Sequence, residues 1–262
     1  MSSTTAPKKL GILLSHGALM QPSCFDPLKA RLEAAGFSPI IAVQHPSIGT
    51  DPSVTSEDDA RHIQAELAPF LDEGRVFLCV AHSYGGVPVV AAAKGFSVAE
   101  REARGLRGGI AAAVFIAAIV PTKKGTGPMS MLPGDLDLAD VSVDGVLTGK
   151  PEAAAILCGP DMTEGEMEAV RATWQPQSAA TVAGPVPLGM EDLTTPSYYV
   201  VCEKDRCVPA ALQEEIAASA PLLKRVLRVP GGHASIVTQV DRLAEQIVEI
   251  SAEVEKEEEV KA

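Results

Sequence analysis

Ser83 stands in the run Ala81-His82-Ser83-Tyr84-Gly85-Gly86, behind an apolar stretch over 75–80 and ahead of small residues that can form a helix. A serine at such a strand-to-helix junction sits on a sharp turn with its hydroxyl exposed, and the next helix N-terminus faces whatever the hydroxyl attacks. The pattern is G-x-S-x-G with Ala81 in the place of the first glycine, where a crowded turn demands a small side chain. Glycines at this junction could also serve only to let a strand and a helix pack closely, so the chemistry needs further partners. An acid and a histidine follow, each after a strand-like run: Asp205 beyond Ser197–Cys202, and His233 in the loop Gly231-Gly232-His233. Glu203 competes as the acid but belongs to the strand alternation, whereas Asp205 lies past it with Pro209 closing the turn. Among the five histidines, His45 lies in a loop after a strand, His62 falls on a polar helix face, and His82 adjoins Ser83 but is expected to point the other way. His233 alone occupies a glycine-rich loop after the last strand. Ser83, Asp205 and His233 are therefore the candidate triad, with Ser83 attacking a carbonyl carbon and His233 taking its proton.

Those residues need elements to hold them. Strands are expected near 10–15, 38–44, 75–82, 110–119, 197–203 and 224–229, several of them near-continuous apolar runs, the signature of parallel strands covered on both faces. Helices are expected near 24–35, 56–73, 84–95, 98–105, 209–219 and 239–258, with Ser97 and Glu100 forming a capping box for the fourth. The alternation predicts an α/β fold, a mostly parallel doubly wound sheet of about six strands. It stops between 122 and 196, a span too long for a loop, so this segment is expected to be a cap inserted into a core made of 1–121 and 197–262. Within it, Asp144-Gly145 reads as a hairpin turn, and Thr163 with Glu166 caps a helix running to about Trp174. Met129, Met131 and Trp174 are its candidate pocket residues, since adaptable apolar side chains suit the roof of an apolar pocket.

The chain resembles the α/β-hydrolase superfamily over nearly its whole length, and within it the small esterases related to plant methyl esterases and hydroxynitrile lyases. The resemblance rests on Ser15-His16-Gly17-Ala18, on 81–86, on Tyr199-Val200-Val201-Cys202-Glu203-Lys204-Asp205 and on Gly232-His233. It implies the chain order Ser83, Asp205, His233 and an oxyanion hole made by the backbone N–H groups of Ala18 and Tyr84. His16 is then expected to support that loop at the pocket's edge without transferring a proton, with Leu19 beside it in the pocket wall. One departure bears on the reaction: Ala234 follows His233, where hydroxynitrile lyases of this group that use a catalytic lysine carry it.

Composition narrows the partners. With 262 residues, 46% of them hydrophobic, the chain can bury a sizeable core. A formal net charge of −12 argues against nucleic acid or an anionic membrane as partner. Part of that charge is the cluster Glu253, Glu255, Glu257, Glu258 and Glu259, read as a solvated or frayed end. Met1 to Lys9 lacks the apolar core of a signal peptide, and no segment is long enough to span a membrane, so a cytoplasmic location is expected. Five scattered cysteines lack metal-ligand spacing; Cys79 and Cys202 fall in strands, while Cys24 and Cys207 lie in loops expected to approach the pocket. No metal and no cofactor is called for, because no dinucleotide fingerprint or phosphate loop is present. The expected partner is a small apolar ester or related small molecule. The leading function is hydrolysis of such an ester or lactone through an acyl-enzyme on Ser83. The alternatives are a non-hydrolytic lyase or cyclase using the Ser-His pair for proton transfer, and a non-catalytic ligand receptor.

Overall fold

The computed structural model describes residues 10–261; Met1–Lys9, the segment read above for a signal peptide, lies outside the described residues. Six strands form one parallel sheet: β1 (Gly11–Ser15), β2 (Ile40–Val43), β3 (Val76–His82), β4 (Gly109–Ile116), then β8 (Ser197–Cys202) and β9 (Leu223–Val229). Their spatial order is β2-β1-β3-β4-β8-β9. Three short strands in the intervening segment, β5 (Ala139–Val141), β6 (Val146–Gly149) and β7 (Gln177–Ser178), form a separate antiparallel sheet.

The period of two along each strand explains why both sheet faces are apolar. Ile12 and Leu14 of β1 point to one face, where they join Phe25 and, from α1 (Asp26–Ala34), Leu28 and Leu32. Leu13 points to the other, joining Ile63, Leu67 and Leu71 of α2 (Ser56–Asp72) and Val89 of α3 (Gly86–Ala93). A short α4 (Val98–Glu102) follows; its cap residue Ser97 accepts a hydrogen bond from the Glu100 N–H at 3.3 Å and donates its hydroxyl to Glu100 Oε2 at 2.6 Å. After β6 the intervening segment carries α5 (Ala154–Leu157), α6 (Glu164–Arg171) and α7 (Ala180–Ala183). The chain closes with α8 (Ala210–Ala218), α9 (Ser235–Thr238) and α10 (Val240–Lys261), whose Leu243, Ile247 and Ile250 complete the first core.

Several boundaries differ from the sequence reading for local reasons. Strand β4 ends at Ile116 because Ala117 takes a left-handed φ of 44°, which turns the chain away. Helix α6 stops at Arg171, leaving Trp174 outside it. The hairpin linking β5 and β6 uses the four residues 142–145, with Gly145 at φ 83° and its N–H donated to Ser142 O. The acidic end is an ordered part of α10: Glu253 pairs with Arg225, Glu257 with Lys224, and Glu255 accepts the Leu10 N–H. A helix lying beside a strand rich in basic residues gives those carboxylates partners that composition alone could not reveal.

Candidate active site

Every catalytic candidate sits at the C-terminal edge of the parallel sheet. Ser83 follows β3 directly, takes a left-handed φ of 52° and opens the single 3-10 turn, Ser83–Gly85, that leads into α3. That turn is held by close backbone approach: a Cβ on Gly85 would lie 2.3 Å from Ser15 O and 2.6 Å from His16 O, and one on Gly86 would lie 2.6 Å from Val120 Cγ2. Glycine is obligatory where no side-chain carbon fits. Ile119 N–H closes the corner onto Ser83 O at 3.1 Å.

Asp205 stands just past β8, and His233 just past β9. Ser83 Oγ lies 2.9 Å from His233 Nε2, and His233 Nδ1 lies 2.7 Å from Asp205 Oδ2. With the Nδ1–H donated to the carboxylate, Nε2 is left to accept the serine hydroxyl. Asp205 is itself fixed: Oδ1 accepts the N–H groups of Cys207 at 2.8 Å and Val208 at 2.9 Å, while Gln213 donates to Oδ2 at 3.3 Å. Buried Gln213 also bridges Cys202 and Val208 in the same turn, a supporting role that no sequence pattern marked. Glu203 is exposed, and the carboxylate bonded to His233 is that of Asp205.

The loop before His233 is pressed against the segment between β4 and β8. A Cβ on Gly232 would meet Gly159 O at 2.6 Å, and the Gly232 N–H donates to the Asp161 carboxylate. His82 closes the other side: its Nε2–H donates to His233 O at 2.8 Å, and the two rings lie 4.9 Å apart. The expectation that His82 points away from the site is corrected here, since its ring turns toward His233. Burial and the adjacent His233 hold its pKa down to about 3, so it stays neutral.

Above Ser83 lies a cavity whose floor includes Ala18 and Tyr84 and whose roof comes from the segment between β4 and β8, with Met129, Leu132, Leu147 and Trp174 among its contributors. Among the described residues lining it, none is Asp, Glu, Lys or Arg. Leu19, Met129 and Trp174 line the cavity. Met131 does not: it packs beneath, against the hydrophobic clusters around Leu193 and Ile119. His16 is also off the wall and fully buried, where its Nδ1–H donates to Gly17 O at 2.8 Å and its Nε2 faces the His45 N–H at 3.4 Å. Both of those side chains turn inward because the core beneath the loop offers them partners, which spacing along the chain does not encode. Cys207 reaches the cavity together with Cys158, whereas Cys24 packs in the core beside α1. Burial pushes the Cys158 thiol up to about 11 and Cys207 higher still, so neither is a competing thiolate nucleophile.

The loop carrying Ala18 is a tight turn: Met20 N–H bonds back to Gly17 O at 3.4 Å, and Leu19 adopts a φ of 63°. The Leu19 N–H is committed to Gln177 Oε1 at 2.9 Å. Ala18 and Tyr84, from two separate loops, flank Ser83 at the cavity floor.

With this geometry in hand, comparison with known proteins is direct. The sequence profile described as Alpha/beta hydrolase family matches residues 12–246, and the chain belongs to that family. It is 25% identical over 259 residues to the alpha/beta hydrolase nvfD of Aspergillus novofumigatus, covering 91% of this chain and 95% of that one. It is likewise 25% identical over 258 residues to a pyrethroid hydrolase of Sphingobium wenxiniae, covering 92% of this chain and 87% of the relative. An extracellular alpha/beta-hydrolase from a Paenibacillus species, said to share structural and functional homology with tobacco salicylic acid binding protein 2, superimposes with a TM-score of 0.77 at 18% identity, over 92% of this chain and 98% of that chain. The fold is therefore shared with the group of small esterases that the motifs resemble. No described helix is long and apolar enough to cross a membrane.

Proposed function

We propose that this protein is a serine carboxylic-ester hydrolase acting on small, uncharged, apolar esters or lactones through an acyl-enzyme on Ser83. The observation that carries this reading is the unbroken relay Ser83–His233–Asp205, 2.9 Å and 2.7 Å between heavy atoms, at the floor of a cavity with no charged side chain in its described lining. Ser83 Oγ bonds to the carbonyl carbon as its proton passes to His233 Nε2, and Asp205 stabilises the imidazolium. The N–H groups of Ala18 and Tyr84 hold the developing oxyanion, His233 returns the proton to the leaving alcohol, and water activated by the same histidine releases the acid. Residues 122–196 act as the cap that selects substrate. Likeness to a pyrethroid hydrolase supports an apolar ester as substrate. Cyanohydrin cleavage fits less well, because a departing cyanide in an apolar cavity needs a cation. Ala234 lines the cavity beside His233, whereas Arg242 belongs to a separate surface groove.

A fluorophosphonate probe followed by mass spectrometry tests the assignment. The expected adduct is on Ser83, lost in Ser83→Ala. Labelling elsewhere, or folded protein that takes no label and hydrolyses no p-nitrophenyl ester, overturns it.

A further inference from the structure

The relay leaves a buried carboxylate unused. Asp59, in the first turns of α2, is fully buried and touches none of Ser83, His233 and Asp205 through any hydrogen bond. Its Oδ2 accepts the Tyr84 hydroxyl at 2.6 Å and the Ser47 hydroxyl at 2.7 Å, and its Oδ1 accepts the Ser47 N–H at 2.9 Å. A carboxylate taken out of water is costly unless donors surround it. Three donors surround this one, and an ionised carboxylate, which accepts at both oxygens, suits all three.

Two chains of hydrogen bonds leave this carboxylate, and both end beside the oxyanion hole. One runs through the Tyr84 phenol, fixing the side chain of the residue whose backbone N–H is proposed above as an oxyanion donor. The other passes through Ser47 Oγ, which accepts Gln177 Nε2 at 3.1 Å, while Gln177 Oε1 accepts the N–H of Leu19 at 2.9 Å. Leu19 is the strained residue immediately after Ala18. The two loops that supply the oxyanion donors leave neighbouring strands whose ladder ends at Ser15 and Ala81, and Ser15 Oγ donates to Gly85 O at 2.9 Å; Ala18 and Tyr84 lie beyond that ladder, where an anchor outside the sheet adds to what sets their spacing.

We propose that Asp59 is a positioning residue for the oxyanion hole, holding the Tyr84 and Ala18 loops at a fixed separation through Tyr84 and through Ser47 and Gln177. The inference rests on the hydrolase reading above. Oxyanion stabilisation depends on donors being in place before charge develops, and loss of one donor costs ~10²–10³ in rate. A donor loosened rather than removed costs less.

The test compares the wild type with Asp59→Asn and with Tyr84→Phe, which deletes only a hydroxyl and so guards against a misfolded Asn variant. Three readouts are taken: p-nitrophenyl butyrate kinetics, affinity for an apolar trifluoromethyl ketone, and affinity for the matching methyl ketone. Ser83 adds to the trifluoromethyl ketone, its Oγ bonding to the carbonyl carbon while the carbonyl electron pair moves to oxygen and the proton to His233. That adduct fills the oxyanion hole, whereas the methyl ketone binds unreacted. Both variants are expected to lose about tenfold or more in kcat with KM little changed, staying within the ~10²–10³-fold cost of deleting a donor. Trifluoromethyl ketone affinity falls in step, methyl ketone affinity holds, and the double variant is no worse than the weaker single one, as for groups acting through one bond. A fall in both affinities by the same factor would mean a merely structural role, and an unchanged ratio in both variants overturns the proposal. If the wild type itself takes no fluorophosphonate on Ser83 and forms no ketone adduct, the hydrolase reading fails and carries this inference down with it.

Discussion

A left-handed φ of 52° lifts the Ser83 hydroxyl clear of β3, and the neighbouring glycines make room for the end of β1 and for the turn after β4. That geometry yields a pair of contrasting predictions. Gly85→Ala places a methyl 2.3 Å from the carbonyl oxygen of Ser15, a rigid backbone atom, so the elbow must shift. Its melting temperature should fall, by the equivalent of about 1–3 kcal/mol, and ester hydrolysis should fall with it. Gly165→Ala, in α6 with nothing within 4 Å of the new methyl, should be neutral or stabilising by up to about 1 kcal/mol. Thermal melts of the two variants decide the matter, and equal shifts would refute the packing argument. For the relay itself, His233→Ala should abolish turnover while leaving methyl ketone affinity largely intact, since the base contributes to the chemical step and little to apolar binding. A variant with near-normal turnover would place the base elsewhere.

The segment between β4 and β8 works as an element distinct from the sheet: its small antiparallel sheet and three short helices set apolar side chains over Ser83. Trp174 packs against Gly149, where a Cβ would lie 2.7 Å from its ring, and so closes one wall of the cavity. Trp174→Ala and Met129→Ala should therefore reorder kcat/KM among esters of different acyl length, by about 10–200-fold at most, because a pocket methylene is worth ~1–3 kcal/mol. Met131, which packs beneath the cavity, is the control. Met131→Ala should lower the melting temperature without changing the ranking of substrates. Ranking shifts of the same size in all three variants would show that the segment acts through general packing.

Across the whole molecule, three buried histidines tie stability to pH. Burial holds His16 down to about 3, with neighbouring His45 adding to the effect; burial likewise holds His45 to about 3, and burial with His233 nearby holds His82 to about 3. The unfolded chain protonates these groups near 6.5 while the native state does not, so the unfolded state binds more protons between those values. Stability is fully present above about pH 6.5 and is lost as pH falls toward about 3. Asp59 opposes this, since burial raises its pKa and protonation on acidification then favours the folded form. The exposed pairs joining Lys224 and Arg225 to α10 are each worth only ~0.2–1 kcal/mol, too little to dominate. Melting temperature should thus drop between pH 7 and pH 4. His45→Gln, which keeps a donor for Ser15 Oγ but cannot titrate, should lower stability at neutral pH and flatten that slope. A profile as steep as the wild type's would assign the acid sensitivity to other groups.

What the residue order determined was whatever depends on local sterics and on period. Apolar runs marked the central strands of the parallel sheet, because a strand buried on both faces leaves no polar alternation; the small residues around Ser83 marked the elbow, because only they fit that turn. Capping boxes at Ser97 and Thr163 were readable for the same reason, each being a bond between residues three apart. Tertiary structure alone decided what crosses between distant segments. It brought Ser83 within hydrogen-bond reach of a histidine 150 positions away, turned His16 and Met131 inward, recruited Gln213 behind Asp205, and gathered Asp59, Ser47, Tyr84 and Gln177 into one buried cluster. No spacing along the chain encodes such contacts: a side chain's direction at a loop is set by which core surface or donor the fold places opposite it.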